Sequence, residues 1–114
     1  MSDEDISPIE KEEINSNEDQ SLKDDISIFI GGKPFMNYVT GVVMQFTTKN
    51  ANNVTIKARG KFISRAVDVA EVATGRFLEN TCAIANIKIG SEEFQNKEGK
   101  QIRVSIIEIT LTRK

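Results

Sequence analysis

From Ile26 the chain alternates and then runs apolar, Ile26-Ser27-Ile28-Phe29-Ile30, before breaking at Gly31-Gly32. This predicts a strand closed by a turn. Pro34 suits the first position of a helix, and Phe35, Tyr38, Val39, Val42, Val43 and Phe46 then recur at helical spacing as far as Thr47 or Thr48. Asn50-Ala51-Asn52-Asn53 reads as a turn. Residues 54–59 alternate cleanly, so that Val54, Ile56 and Ala58 share one face of a strand and Thr55, Lys57 and Arg59 the other, until Gly60 breaks it. A second helix is predicted over 61–78, with Ile63, Ala66, Val67, Ala70, Ala73 and Phe77 as its buried stripe and Arg65, Asp68 and Glu71 on its exposed face. Residues 81–89 make an apolar strand, and 102–113 a long one rich in Ile, Val and Thr whose phase slips at Ile106-Ile107, the place for a bulge. Between them Gly90-Ser91 interrupts the chain. The polar segment that follows, with Glu98-Gly99 as its turn, is longer than a tight hairpin needs and predicts an arm projecting from the body. The order β-α-β-α-β-β predicts an α+β two-layer sandwich, with two helices on one face of a mixed four-stranded sheet and the arm between its third and fourth strands.

Ahead of Ile26 the pattern disappears. Residues 1–24 are polar and aromatic-free, and Ile6, Ile9, Ile14 and Leu22 are too sparse to build a core. A disordered acidic tail over 1–24 and one domain over 25–114 are expected. Charge sharpens the division. The net −2 of all 114 residues conceals a first 25 residues with ten acids and two lysines, net −8, and a remainder with seven acids and thirteen bases, net +6. A basic domain joined to an acidic segment points to charged partners.

Several chemistries drop out. The chain has one cysteine, Cys82, and no histidine, which removes disulfide frameworks, thiolate clusters, His-based zinc sites and Ser-His-Asp or Cys-His catalysis. Cys82 reads as a small buried apolar residue. No cofactor is expected. No run approaches the ~18 apolar residues of a membrane span, and the acidic N-terminus is unlike a signal peptide. A soluble intracellular protein is the natural expectation.

What remains is cationic and sits at turns. Gly31-Gly32-Lys33 and Gly60-Lys61 each couple an extended run to the start of a helix, where free N–H groups and the positive dipole end favour phosphate. Lys57, Arg59 and Lys61 can converge on one patch, and Lys97, Lys100 and Arg103 place a second basic cluster on the arm. Gly31-Gly32-Lys33 is not a mononucleotide loop, because Ser27 stands where that motif needs Gly and Pro34 where it needs Ser or Thr. Phe94 is expected to pack the hairpin, Tyr38 to lie in the core, and Phe77 to complete the helix stripe or, if exposed, to serve as an interface residue. Two phosphate sites without catalytic equipment point to a polyanion, with nucleic acid as the leading candidate.

Four stretches carry a resemblance: Gly32-Lys33-Pro34-Phe35-Met36-Asn37-Tyr38-Val39, residues 56–68 (IKARGKFISRAVD), Arg76-Phe77-Leu78 and the closing Arg103-Val104-Ser105-Ile106-Ile107-Glu108-Ile109. In this order they strongly resemble the Alba family of archaeal chromatin proteins, over about residues 26–114. The resemblance implies the same fold, a homodimer, and binding of double-stranded DNA and of RNA with little sequence preference. It implies that Lys33, Lys57, Arg59 and Lys61 line the body of the surface, that Lys97, Lys100 and Arg103 act on arms following the minor groove, and that Phe77 mediates contact between dimers on DNA. Members of that family typically carry two adjacent lysines in the first turn, the first being the acetylation target. Gly32 holds that place here, which removes such control at this position. Phe62 is a bulky residue where small ones are common, and it sits beside the basic patch.

The expectation is therefore a non-enzymatic, dimeric protein that coats or compacts DNA in the cytoplasm, on the chromosome. An RNA-binding module acting in RNA stability or processing is the alternative. A nuclease would need a carboxylate cluster, and the domain's acids show no such motif.

Overall fold

In the computed structural model, which describes residues 26–114, the alternation of the apolar strands sets the sheet. Strand β1 (Ile26–Phe29) runs parallel to β2 (Asn53–Arg59), with Ile26 beside Val54 and Ile28 beside Ile56. Strand β4 (Gln101–Arg113) lies antiparallel to β2, and β3 (Cys82–Gln95) antiparallel to β4, giving the order β1-β2-β4-β3. The parallel pair requires a crossover, supplied by α1 (Phe35–Thr47). The two-layer α+β architecture and mixed sheet are as the pattern predicted. The expected tail over 1–24 lies outside the described residues.

One face of the sheet meets both helices. Val54, Ile56, Ala58, Ile107, Ile109 and Leu111 form a single core with Tyr38, Val39, Val42 and Phe46 of α1 and Ala66, Val69 and Ala70 of α2 (Ile63–Val72). Burying each of the larger of these side chains is worth about 1.5–3 kcal/mol. The opposite, outer face carries no helix.

Three elements depart from the pattern. The second helical segment is not one regular helix: a 3-10 turn at Gly60–Phe62 leads into α2, and a π turn at Ala73–Phe77 ends it. Leu78 N–H donates to Ala73 O at 2.9 Å, five residues back, so the widened turn swings the stripe by one position. Leu78 is buried and Phe77 is 52% exposed, while Val69 takes the inner position expected of Val67. Strand β3 does not stop at Gly90-Ser91 but continues to Gln95, because β4 offers an unbroken ladder from Gln101 onward. No bulge occurs at Ile106-Ile107; Ile107 faces the core and Ile106 the outer face, with continuous pairing to both neighbours. The irregularity lies instead between Ile84 and Asn86 of β3.

Candidate nucleic-acid interface

Because β1 and β2 are parallel, the turns that follow them open at the same end of the sheet. That topology brings Lys33, in the first turn, together with Lys57 and Arg59 at the end of β2 and Lys61 in the 3-10 turn. Gly60, at φ 58°, adopts a left-handed conformation that favours glycine, and so turns the chain sharply between Arg59 and Lys61. Lys57 and Arg59 point to the outer face, in register with Glu108 and Ile106. Lys57 Nζ lies 5.7 Å from the Phe29 ring centre and Lys61 Nζ 5.4 Å from that of Phe62, positions suited to cation–π attraction.

The first turn is held by two side chains. The Tyr38 hydroxyl accepts N–H bonds from Gly31 (2.9 Å) and Lys33 (3.1 Å), and Arg65 Nη1 donates to the carbonyls of Gly31 (2.9 Å) and Lys33 (2.6 Å). Two of the N–H groups expected to be free at this turn, those of Gly31 and Lys33, are therefore already bonded within the protein. Tyr38 is in the core as expected, but its oxygen has a task that apolar spacing could not reveal. Arg65 was expected on a solvated face. Its carbonyl partners lie more than thirty residues away in sequence, so no local signal marks it.

The arm projects from the same end. Residues 91–105 pair only with each other, five ladder positions beyond the row that contains Arg59, or about 16 Å of strand. Asn96 closes its tip, its Oδ1 accepting N–H bonds from Glu98 and Lys100 at 2.9 Å each, and Gly99 takes φ 81°. Lys97 and Lys100 therefore stand at the tip, apart from the patch on the body. Arg103 lies on the helix-side face of the arm, 3.2 Å from Ser91 Oγ, and Phe94 on the outer face, 44% exposed rather than packed into the hairpin. Lys88 was missed. It shares an outer-face row with Phe29, Lys57 and Glu108, and the irregularity at Ile84/Asn86 hides its side from simple alternation.

A second exposed feature is apolar. Ile84, Ile87 and Ile89 lie on the helix-side face of β3, beyond the reach of the helices, with Ile89 76% exposed and Val67 of α2 also uncovered. Among the described residues no group of His, Cys, Asp and Glu could hold a metal ion, and no helix is long and apolar enough to cross a membrane.

A two-layer α+β body with a cationic end and a basic arm defines a class of protein suited to a polyanion. Comparison narrows it: the Alba family profile matches residues 26–91, and the chain belongs to that family. It is 49% identical over 84 residues to the DNA/RNA-binding protein Alba of Methanococcus maripaludis, covering 74% of this chain and 93% of the relative. It is 51% identical over 92 residues to the protein of the same name from Methanocella arvoryzae, covering 81% and 94%. Among solved structures, Alba from Thermoplasma volcanium superposes with a TM-score of 0.70 at 49% identity, over 76% of this chain and 99% of that one.

Proposed function

We propose that this protein binds double-stranded DNA without sequence preference, as a homodimer, and coats or compacts it without enzymatic action. The observation that carries the reading is the placement of Lys57 and Arg59 on β2, and of Lys33 and Lys61 in the turns that follow β1 and β2, at the sheet end from which the arm projects. These are side-chain cations at turns and strand ends, and such contacts fix position on phosphates without reading bases. The arm, with Lys97 and Lys100 at its tip and Arg103 on one face, has the shape and charge to reach along a groove. Curated relatives at about half identity bear the name DNA/RNA-binding protein, which supports the same chemistry here.

The uncovered strip of Ile84, Ile87, Ile89 and Val67 supports the homodimer, since an apolar surface of this kind is suited to burial against its own copy. The exposure of Phe77, at the end of the π turn, supports a role for it in contact between one dimer and the next. Association with the chromosome in the cytoplasm follows from this reading. RNA is the second ligand, since nothing in a patch of phosphate-binding cations excludes it.

Affinities for duplex DNA, duplex RNA and a folded RNA, measured across a salt series, test the proposal. If half of the seven candidate cations of each protomer touch phosphate, a dimer neutralises on the order of 6–8 charges, and log K against log salt should fall with a slope near −5 to −7. A slope shallower than about −2 would show that the basic end is not the binding surface.

A further inference from the structure

Glu92 is the point at which the arm reaches back to the body. It sits on β3 opposite Val104, two ladder rows beyond Ile106, and Ile106 is the β4 partner of Arg59. Arg59 and Glu92 therefore flank β4 on the same outer face, and their side chains meet across it, Nη1 to Oε1 at 3.4 Å. Among the described residues this is the one ion pair, and it engages a cation assigned above to phosphate. Glu108, the other carboxylate of that face, stands in the Lys57 row with no ion pair to it within contact distance.

A carboxylate and a phosphate compete for the same guanidinium in the same way, through charge-assisted N–H bonds to paired oxygens. We infer that Glu92 is an internal competitor for Arg59 that limits nucleic-acid affinity, and that an incoming phosphate displaces it. The inference rests on the nucleic-acid reading above. The pair is suited to exchange: its side chains are 60% and 46% exposed, and pairs so open to solvent hold weakly enough to be replaced. Glu92 is thus an affinity-determining residue that need not itself touch the ligand.

The test is a cycle of four full-length proteins, wild type, E92Q, R59Q and R59Q/E92Q, titrated with a mixed-sequence DNA duplex at low and at moderate salt. Thermal melting confirms that each is folded, as expected for changes at exposed side chains. E92Q should bind about two- to fivefold more tightly at low salt, with the gain shrinking as salt screens the pair. R59Q should bind more weakly, and adding E92Q to it should restore little, because the carboxylate has lost the cation it masks. An E92Q protein no tighter than wild type overturns the inference. So does a gain of equal size in the R59Q background, which would reflect overall charge alone. Absence of wild-type binding to DNA or RNA would instead sink the functional reading; normal wild-type binding with an inert E92Q sinks only the competitor.

Discussion

Tyr38 and Arg65 show how a turn that carries a candidate cation is held by side chains from elsewhere in the chain. The Tyr38 hydroxyl satisfies two backbone N–H groups at once. Tyr38→Phe keeps the ring in the core but leaves both donors without that acceptor, a loss of about 1–3 kcal/mol that urea unfolding would read. Duplex binding should weaken as well, since Lys33 lies on the loosened turn. Cys82 makes a prediction of a different kind. Burial pushes its thiol up from 9.0, with Arg113 and then Lys114 pulling less strongly the other way. The folded protein thus holds this proton more tightly than the unfolded chain. The resulting stability is complete below the unfolded value and is lost as pH rises through the higher folded one. Native Cys82 should react slowly with iodoacetamide. In Cys82→Ala, the decline of urea midpoint at alkaline pH should be shallower than in wild type; equal declines would assign the effect to other groups.

At the scale of elements, the end of α2 separates what periodicity can and cannot deliver. A regular helix through residue 77 would bury Phe77; the π turn over Ala73–Phe77 buries Leu78 in its stead. Leu78→Ala should cost about 2–5 kcal/mol in thermal or urea unfolding. Phe77→Ala should leave folding nearly unchanged, stay within about 0.5 kcal/mol as an exposed change, and reduce cooperative coating of long DNA. A large stability loss in Phe77→Ala would return the ring to the core. The strands, α1 and the arm were legible because apolar alternation, helical spacing and the Glu98-Gly99 turn are local signals. So were the cations, which charge and spacing mark directly. What escaped depended on contacts distant in sequence: the Arg65 clamp, the pairing that carries β3 through Gly90-Ser91, the displaced irregularity that sets the side of Lys88, and the ion pair between Arg59 and Glu92. Strand pairing decides these, and it has no counterpart in any single window of sequence.

The whole molecule sets two kinds of surface against each other. The apolar strip on β3 and α2 is proposed for self-association, and Ile89→Asp should abolish the dimer in sedimentation while leaving the monomer folded, because that side chain is already exposed. A dimer that persists would move the interface elsewhere. The remaining surface balances a domain of net +6 against a first 25 residues of net −8 in the same chain. The acidic stretch joins the domain at Ile26, where β1 begins, and the described domain is 47 Å in its longest dimension. Twenty-four residues can span up to about 80 Å, so chain length does not prevent the acids from reaching the basic end. Attachment to the same chain gives them an effective concentration near the mM range, whereas the Debye length of about 8 Å at physiological salt confines their action to close approach. The acidic stretch should therefore compete with nucleic acid weakly, and most at low salt. Deleting residues 1–24 should tighten duplex binding several-fold at low ionic strength, with the advantage fading as salt rises. Matching affinities for the full and shortened chains across that series would show that these acids serve some purpose other than competition.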